Sequence, residues 1–481
     1  MVMRLYSFVL VCVFLQALAC LAQNPIIHNQ FCADPSALVV GDRVYVYPSH
    51  DILPPEDQAR KNWFSMEDYH VFSSSDLVNW TDHGVILTQN SAEWINNKSY
   101  SMWAPDCKEH NGKYYFYYPA IRKPVDGQQS SGFGVGVATA PLPAGPFTVE
   151  QTPIEGVMGI DPCIFKDDDG TGYLVWPSKG FVIARLNDDW KSLSKERHIV
   201  ENTPTKGLIE GPYLFKRDGW YYVTFPWARK NTEVLAYCMS RNIFGPYEFK
   251  GVFFEEHPNG CWTNHHSIVQ FKDQWYIFYH HNKYSPRDDK RRSVCIDTIS
   301  FNPDGTIQTV RPTLRGVGET SAKSEIQIDR YSAISGGAYI EYLDTTNCFK
   351  GWKTVFTGKG AAVRYDRVKF HSSPMTVRLM VHAPNGAKIG LKLESLRLSE
   401  CNQVCLDCRA VADSTKSSLR LCTIDVPANQ DWQVVEHNIS KKTSKKISGL
   451  KDITVELLSD STTEIDWLSF DQSPYNSYKK Q

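Results

Sequence analysis

Three acids and a histidine occupy matching positions along this chain. Asp34 begins DPSALVVGDRVYVY, Asp161 begins DPCIFKDDDGTGYLVW, Glu210 begins EGPYLFKRDGWYYVTF and His265 begins HHSIVQFKDQWYIFY. A further acid, Asp106, begins DCKEHNGKYYFYY. Each is a polar head ahead of a hairpin whose second strand is rich in Tyr, Trp and Phe. The aromatic centres (Tyr45, Tyr115, Tyr173, Tyr221, Tyr276) follow their heads by roughly ten residues, the length of one hairpin. Taken singly, each acid reads as a turn residue, since Asp before Pro is a common turn start. Three carboxylates at matching heads of a repeat read as a site. Two carboxylates facing one pocket can hydrolyse a glycosidic bond if one is protonated, to donate to the leaving oxygen, and the other is ionised, to take a proton from water. A third can hold the acid and raise its pKa by like-charge repulsion.

The elements that position these heads recur roughly every 50 to 70 residues, which at about four strands per unit predicts a β-propeller. The first strand of each blade lines the central channel, so Asp34, Asp161, Glu210 and His265 converge on one axis. The five copies predict five blades. The chain divides into a leader (1–22), a propeller (23–320), a β-sandwich of jelly-roll type (326–472) and a tail (473–481). In the second unit, short alternating strands are expected at Met375 to His382, Ala387 to Leu393, Trp432 to His437, Ile453 to Leu458 and Ile465 to Phe470. The fold class is all-β, since almost no segment has a helical period.

Composition bounds the partners. The net charge is −1 over 481 residues, which gives no basic surplus for nucleic acid or an anionic membrane. Met1 to Arg4 is short and basic, Tyr6 to Leu21 is apolar and Ala19-Cys20-Leu21-Ala22 offers small residues for cleavage, which reads as a secretory leader. In a bacterial source Cys20 is a candidate for a lipid anchor. The expected product is a secreted monomer. Aromatics at 12% suit both sugar stacking and a β core, so they decide nothing alone. Of 13 cysteines, Cys12 and Cys20 fall in the leader, leaving an odd eleven. Cys401, Cys405, Cys408 and Cys422 cluster, and in a secreted chain they read as a local disulfide staple ahead of a zinc site. Asn79, Asn97 and Asn438 begin glycosylation sequons.

The segments Asp34-Pro-Ser, Trp103-Ala-Pro-Asp106, Ile160-Asp161-Pro, Glu210-Gly-Pro and His265-His-Ser-Ile together resemble the family 43 glycoside hydrolases, five-bladed propeller enzymes, over roughly residues 28 to 317. The resemblance implies Asp34 as general base, Glu210 as general acid and Asp161 as pKa modulator, acting by single displacement with inversion. It implies Trp103 as a wall of the sugar pocket and Arg292 as an arginine reaching the pocket, with Arg291 beside it; His50 and Asp51, which follow the first aromatic strand, either contact hydroxyls or only start a loop. It implies no cofactor for the chemistry. His265 matches a histidine that in some members binds calcium, and His266 beside it leaves open which of the two points inward. The tail, from Trp432-Gln-Val-Val to Glu464-Ile-Asp466-Trp-Leu-Ser-Phe470, is similar to a family 6 carbohydrate-binding module, in which the residue matching Asp466 helps hold a structural calcium. The implied activity is an exo-glycosidase releasing xylose or arabinose from plant-type polysaccharide or its oligomers. An endo-acting arabinanase or xylanase, a propeller lectin without turnover, and a retaining fructosidase are the rivals. The loop Leu53 to Met66, with Trp63 and Phe64, is expected to close one end of the channel and favour exo action.

Overall fold

The computed structural model describes residues 24–58, 61–124, 132–229, 232–255, 262–285, 289–347, 350–395 and 418–471. The leader 1–22 with Cys20, the cysteines Cys401, Cys405 and Cys408, and the tail 473–481 lie outside the described residues. Cys422 carries a half-buried free thiol, and Cys32, Cys107, Cys163, Cys238 and Cys295 are buried free thiols.

Five antiparallel meanders make up the first unit. Blade 1 holds β1 (Phe31–Val40), β2 (Arg43–Asp51), β3 (Asp68–Ser74) and β4 (Thr81–Thr88). Blade 2 holds β5 (Asp106–His110), β6 (Lys113–Ile121), β7 (Phe133–Ala140) and β8 (Thr148–Val149). Blade 3 holds β9 (Cys163–Lys166), β10 (Gly172–Pro177), β11 (Phe181–Leu186) and β12 (Leu193–Ile199). Blade 4 holds β13 (Tyr213–Arg217), β14 (Trp220–Arg229), β15 (Thr232–Ser240) and β16 (Glu248–Phe254). Blade 5 has three strands, β17 (His266–Phe271), β18 (Gln274–His281) and β19 (Ser293–Ile299). The innermost strands close a ring, β1 on β5, β5 on β9, β9 on β13, β13 on β17 and β17 back on β1. This is the five-bladed propeller the repeat predicts.

Local chemistry explains the repeat. Asp218 at φ +50° and Gly219 at φ +70° give the mirror-image turn that a tight hairpin between β13 and β14 needs. The aromatic second strands pack between blades rather than toward sugar. Tyr47, Tyr117 and Tyr222 are fully buried, and each hydroxyl donates to a backbone carbonyl, of Pro143, Trp190 and Gly305, at 2.6–2.7 Å. A buried tyrosine keeps its apolar area without stranding a donor.

Among the described residues blade 5 has no fourth strand, and the segment after Asn24 lies along its edge. The Ile26 N–H donates to the Val294 carbonyl at 2.9 Å. Fully buried Asn24 spans the gap: its amide donates to the carbonyls of Ile296 and Thr313 at 3.0 and 2.8 Å, and its carbonyl oxygen accepts from the Ile296 N–H at 2.8 Å.

The second unit is a sandwich of two sheets. One orders Thr320–Ser321, Ala362–Phe370, Gly449–Leu457, Ala387–Ser395 and Ser418–Val426; the other orders Ala338–Tyr342, Trp352–Phe356, Thr463–Asp471, Thr376–His382 and Gln433–Asn438. Alternate residues such as Val377, Leu379 and Val381 face an apolar core between them. All five strands expected from the sequence are present, with ends shifted by at most four residues. One short helix, Lys441–Ser444, interrupts the strands described. Arg330 joins the units. Its guanidinium lies 4.0 Å from the Tyr284 ring and 4.8 Å from the Trp352 ring, and it donates to the Asn24 carbonyl at 3.2 Å.

Candidate active site

A cavity of about 340 Å³ sits where the blade heads converge, lined by Asp34, Asp161, Glu210 and His265. The repeat therefore brings together four heads that span most of the propeller sequence. Asp106, the head of blade 2, does not reach it. Its carboxylate accepts from Ser36 Oγ at 2.5 Å and from the Ile164 N–H at 2.6 Å, tying β1, β5 and β9 together.

Backbone geometry aims the acids. The ladder between β1 and β2 shifts register between Ala33 and Ser36, a bulge that turns Asp34 inward, and Asp34 itself sits at φ +51°. Asp161 is at φ +54°. Such left-handed residues store strain that the surroundings must hold. Gly211, directly after Glu210, is at φ +51°, and a Cβ there would lie 2.9 Å from His265 Nδ1 and 3.0 Å from Pro226 Cγ. Its N–H donates to Asp161 Oδ2 at 3.0 Å, so the residue after the acid also holds the third carboxylate.

Asp34 is built to be ionised. Arg292 donates to it from Nη1 at 3.0 Å and Nη2 at 3.3 Å, and Ser49 Oγ donates at 2.5 Å. Burial raises its carboxyl, but the charge of Arg292 first, then His280 and His265, and the Ser49 bond bring it down to about 2. Glu210 is the opposite case. Burial and then the charge of Asp34 push it up to about 7. Asp161 is driven well above the usual carboxylate range by burial, then by Glu210 and Asp34. Asp161 and Glu210 are thus a mutually repelling buried pair, both raised by burial and by the charge of Asp34.

Arg292, rather than Arg291, is the arginine at the cavity; Arg291 lies with its guanidinium 5.9 Å from the Phe31 ring. Asp51 does not line the cavity. Buried at 3% exposure, it accepts from Arg292 Nε and Nη2, both at 2.9 Å, and is the anchor of the arginine rather than a sugar contact. His50 is also outside the cavity. Strand alternation turns it to the opposite face from Asp51, where its Nδ1 meets Asp68 at 2.8 Å. Trp103 is a wall of the cavity, its ring 4.9 Å from that of Phe133, and its Nε1–H has no partner among the described residues.

Of the adjacent histidines, His265 faces the cavity. His266 is buried behind it, with Nε2 2.6 Å from Thr224 Oγ1 and the Tyr213 and Phe253 rings alongside. Burial lowers His265, so it is a neutral imidazole. It fits calcium poorly, because that ion takes six to eight oxygens and the nearby carboxylates of Asp34 and Asp106 are engaged as described. Asp466 lies in the sandwich, on Thr463–Asp471. It is pushed up to about 7 by burial and by the charges of Asp329 and Glu325. Asp329 is buried, and its carboxylate has no hydrogen bond; Arg330 Nε stands 3.0 Å away as an ion pair outside hydrogen-bond geometry. The three carboxylates of Asp466, Asp329 and Glu325 do not bring their oxygens together within 4.8 Å.

Sequence reasoning missed Glu233. It stands at the start of β15, lines the cavity at 5% exposure, accepts from the Asn264 N–H at 2.7 Å and shares a side-chain hydrogen bond with Glu210. Burial and then the charge of Glu210 drive it well above the usual carboxylate range, so the two carboxyls keep a proton between them. It belongs to the second hairpin of blade 4, not to a head, and no spacing marks it. At the rim, Trp63 and Phe64 from the first-blade loop meet Trp262, with ring centroids 5.5 and 5.6 Å away.

The family model of the glycosyl hydrolases family 43 matches residues 22–307. The chain belongs to that family. This family 43 chain is therefore a glycoside hydrolase acting on O-glycosyl bonds. It is 33% identical to a xylosidase/arabinosidase of Humicola insolens, over 60% of this chain and 99% of that one. It is 29% identical to a xylosidase/arabinosidase of Bacteroides ovatus, over 59% and 96%. A family 43 β-xylosidase/α-arabinofuranosidase from a compost metagenome, solved with xylotriose in a calcium-free form, superposes with a TM-score of 0.53 at 33% identity, covering 60% of this chain and 98% of that one. An arabinoxylan arabinofuranohydrolase of Bacillus subtilis, at 24% identity and a TM-score of 0.50, covers 94% of this family 43 hydrolase and 97% of its own chain, a likeness of fold that takes in the sandwich.

Proposed function

We propose that this hydrolase is an exo-acting β-xylosidase and α-L-arabinofuranosidase that releases single pentoses from hemicellulose or its oligomers with inversion. The observation that carries the reading is the pairing, in one small cavity, of a carboxylate held down to about 2 (Asp34) with a carboxyl pushed up to about 7 (Glu210). Between those values one is ionised and the other protonated, as an acid–base pair requires. Asp34 takes a proton from a water that attacks the anomeric carbon, and Glu210 gives its proton to the leaving oxygen. Glu233 donates a hydrogen bond to the Glu210 carboxylate as it forms. Asp161, on the Gly211 N–H, fixes the end of the segment that carries Glu210. Arg292 keeps Asp34 ionised and oriented.

The exo preference follows from the rim. Trp63, Phe64 and Trp262 stand across one side of a cavity whose size is at the low end for small-molecule pockets. The relatives' names support the pentose. The leader supports secretion. The sandwich we read as a carbohydrate-binding module with a structural calcium at Asp466, on the resemblance of its closing strand.

Hydrolysis of phenyl β-D-xylopyranoside and phenyl α-L-arabinofuranoside, whose leaving group needs the acid, side by side with Glu210→Gln, tests the reading. Release from either substrate that is lost in the variant is expected, with proton NMR of the first product showing the inverted anomer. Retained anomeric configuration refutes the water-attack assignment. A ladder of mixed oligomers from unbranched xylan refutes exo action.

A further inference from the structure

Four titratable side chains outside the sugar cavity share one face of blade 1. His50 lies near the end of β2, Asp68 and His70 stand two residues apart at the start of β3, and Asp82 is on β4. The register that pairs Ser49 with Tyr69 sets His50 opposite Asp68, and strand alternation puts His70 on the same face. Ligand atoms of His50, Asp68 and His70 all lie within 4.8 Å of one another. The two imidazoles meet edge-on, with centroids 5.4 Å apart at 76°. His70 Nδ1 lies 3.1 Å from Asp82 Oδ1. We propose that His50, Asp68 and His70 bind a divalent transition cation of the zinc type, with Asp82 as the outer partner that sets the tautomer of His70.

The donor set favours zinc over calcium or magnesium, since two of three ligands are imidazole nitrogens. Zinc bonds of about 2.0–2.2 Å put neighbouring tetrahedral donors roughly 3.3 Å apart. The His50 and Asp68 atoms already stand 2.8 Å apart, so a metal ion takes the place of the proton between them. His70 has only to close from within 4.8 Å, a side-chain rotation. Asp82 lies on His70 Nδ1 and leaves Nε2 as the nitrogen for a metal ion, the carboxylate–histidine arrangement that orients metal ligands. The three side chains are between 13% and 21% exposed, which admits an ion and a water as fourth ligand. Asp51 and Glu67 add negative potential at His50. Two same-face positions of one strand and one cross-strand position form a rigid base for such a site. A bound ion would clamp β2 to β3 one residue from Asp51, the anchor of Arg292. The competing account is two separate histidine–carboxylate pairs pinning neighbouring strands, in which case added metal changes nothing.

The test is calorimetric titration of the chelator-stripped full chain with zinc chloride, with thermal unfolding alongside. The expected result is a site of about one zinc per chain whose occupancy raises Tm with the logarithm of zinc concentration. His70→Ala weakens that site at least about 100-fold, and Asp82→Asn roughly 10- to 100-fold. His70→Gln serves if the alanine variant does not fold. Cobalt(II) in place of zinc gives visible bands without a thiolate charge-transfer band, which separates this site from the cysteines around Cys401. Absence of zinc binding, or binding unchanged by both His70→Gln and Asp68→Asn, overturns the proposal.

Discussion

Replacing Arg292 with methionine separates the electrostatic role of this arginine from its place in the wall. Arg292 is buried and holds two carboxylates at once, Asp34 and Asp51. Its charge is the largest cause that lowers Asp34, from 3.8 to about 2 against the opposing effect of burial. That net depression corresponds to roughly 2–3 kcal/mol of preference for the ionised form. Without Arg292, burial dominates and Asp34 moves above 3.8. At pH 3, Asp34 then goes from about nine-tenths ionised to about one-seventh or less, so kcat/KM relative to its plateau falls at least about sixfold. The assay is kcat/KM against pH on an aryl glycoside. The acidic limb should move from near pH 2 to above pH 3.8. Stability responds as well. Asp34 has its folded pKa depressed, so its contribution is present above 3.8 and lost as pH falls toward 2. In the variant that contribution is gone, and two buried carboxylates are left without their cation, at a cost of about 3–5 kcal/mol in denaturant unfolding. Adding Asp51→Asn should restore much of the stability and none of the shift in the acidic limb. A folded Arg292→Met enzyme whose acidic limb stays near pH 2 would refute the assignment of Asp34 as a base held ionised by Arg292.

The alkaline limb should lie near pH 7, where Glu210 loses its proton, and Glu210→Gln should abolish turnover of substrates with poor leaving groups while sparing dinitrophenyl glycosides, measured across a leaving-group series. Glu233→Leu should move that limb to higher pH, because Glu210 loses a hydrogen-bond donor, whereas Glu233→Gln keeps a donor and should leave the limb in place; a downward shift in Glu233→Gln would mean that Glu233 works ionised. Gly211→Ala should lose most of kcat with a smaller change in KM, since the added Cβ meets His265 and Pro226 and displaces the hold on Asp161. Asn24→Ala removes three buried hydrogen bonds that close blade 5 and should lower unfolding stability by about 2–4 kcal/mol, with kcat on the remaining folded enzyme unchanged.

Much of this molecule is legible in one dimension because a propeller repeats. Each blade is one meander, so matching positions in sequence become matching positions around an axis, and Asp34, Asp161, Glu210 and His265 meet as the repeat implies. The sandwich strands are equally plain, because one buried face imposes a period of two on residues such as Val377, Leu379 and Val381. What spacing cannot carry is which side of a strand end faces the channel. His50 and Asp51 are neighbours in sequence and point to opposite faces; His265 and His266, and Arg291 and Arg292, are separated in the same way. Nor can it carry contacts between non-equivalent positions. Glu233 reaches Glu210 from a second hairpin, and Asp51 reaches Arg292 across 241 residues of chain. The protonation of the acids was likewise decided only by the tertiary structure. The residue types make Asp34 and Glu210 alike, and the fold gives one an arginine and the other burial beside two carboxyls, which drives their pKa values apart.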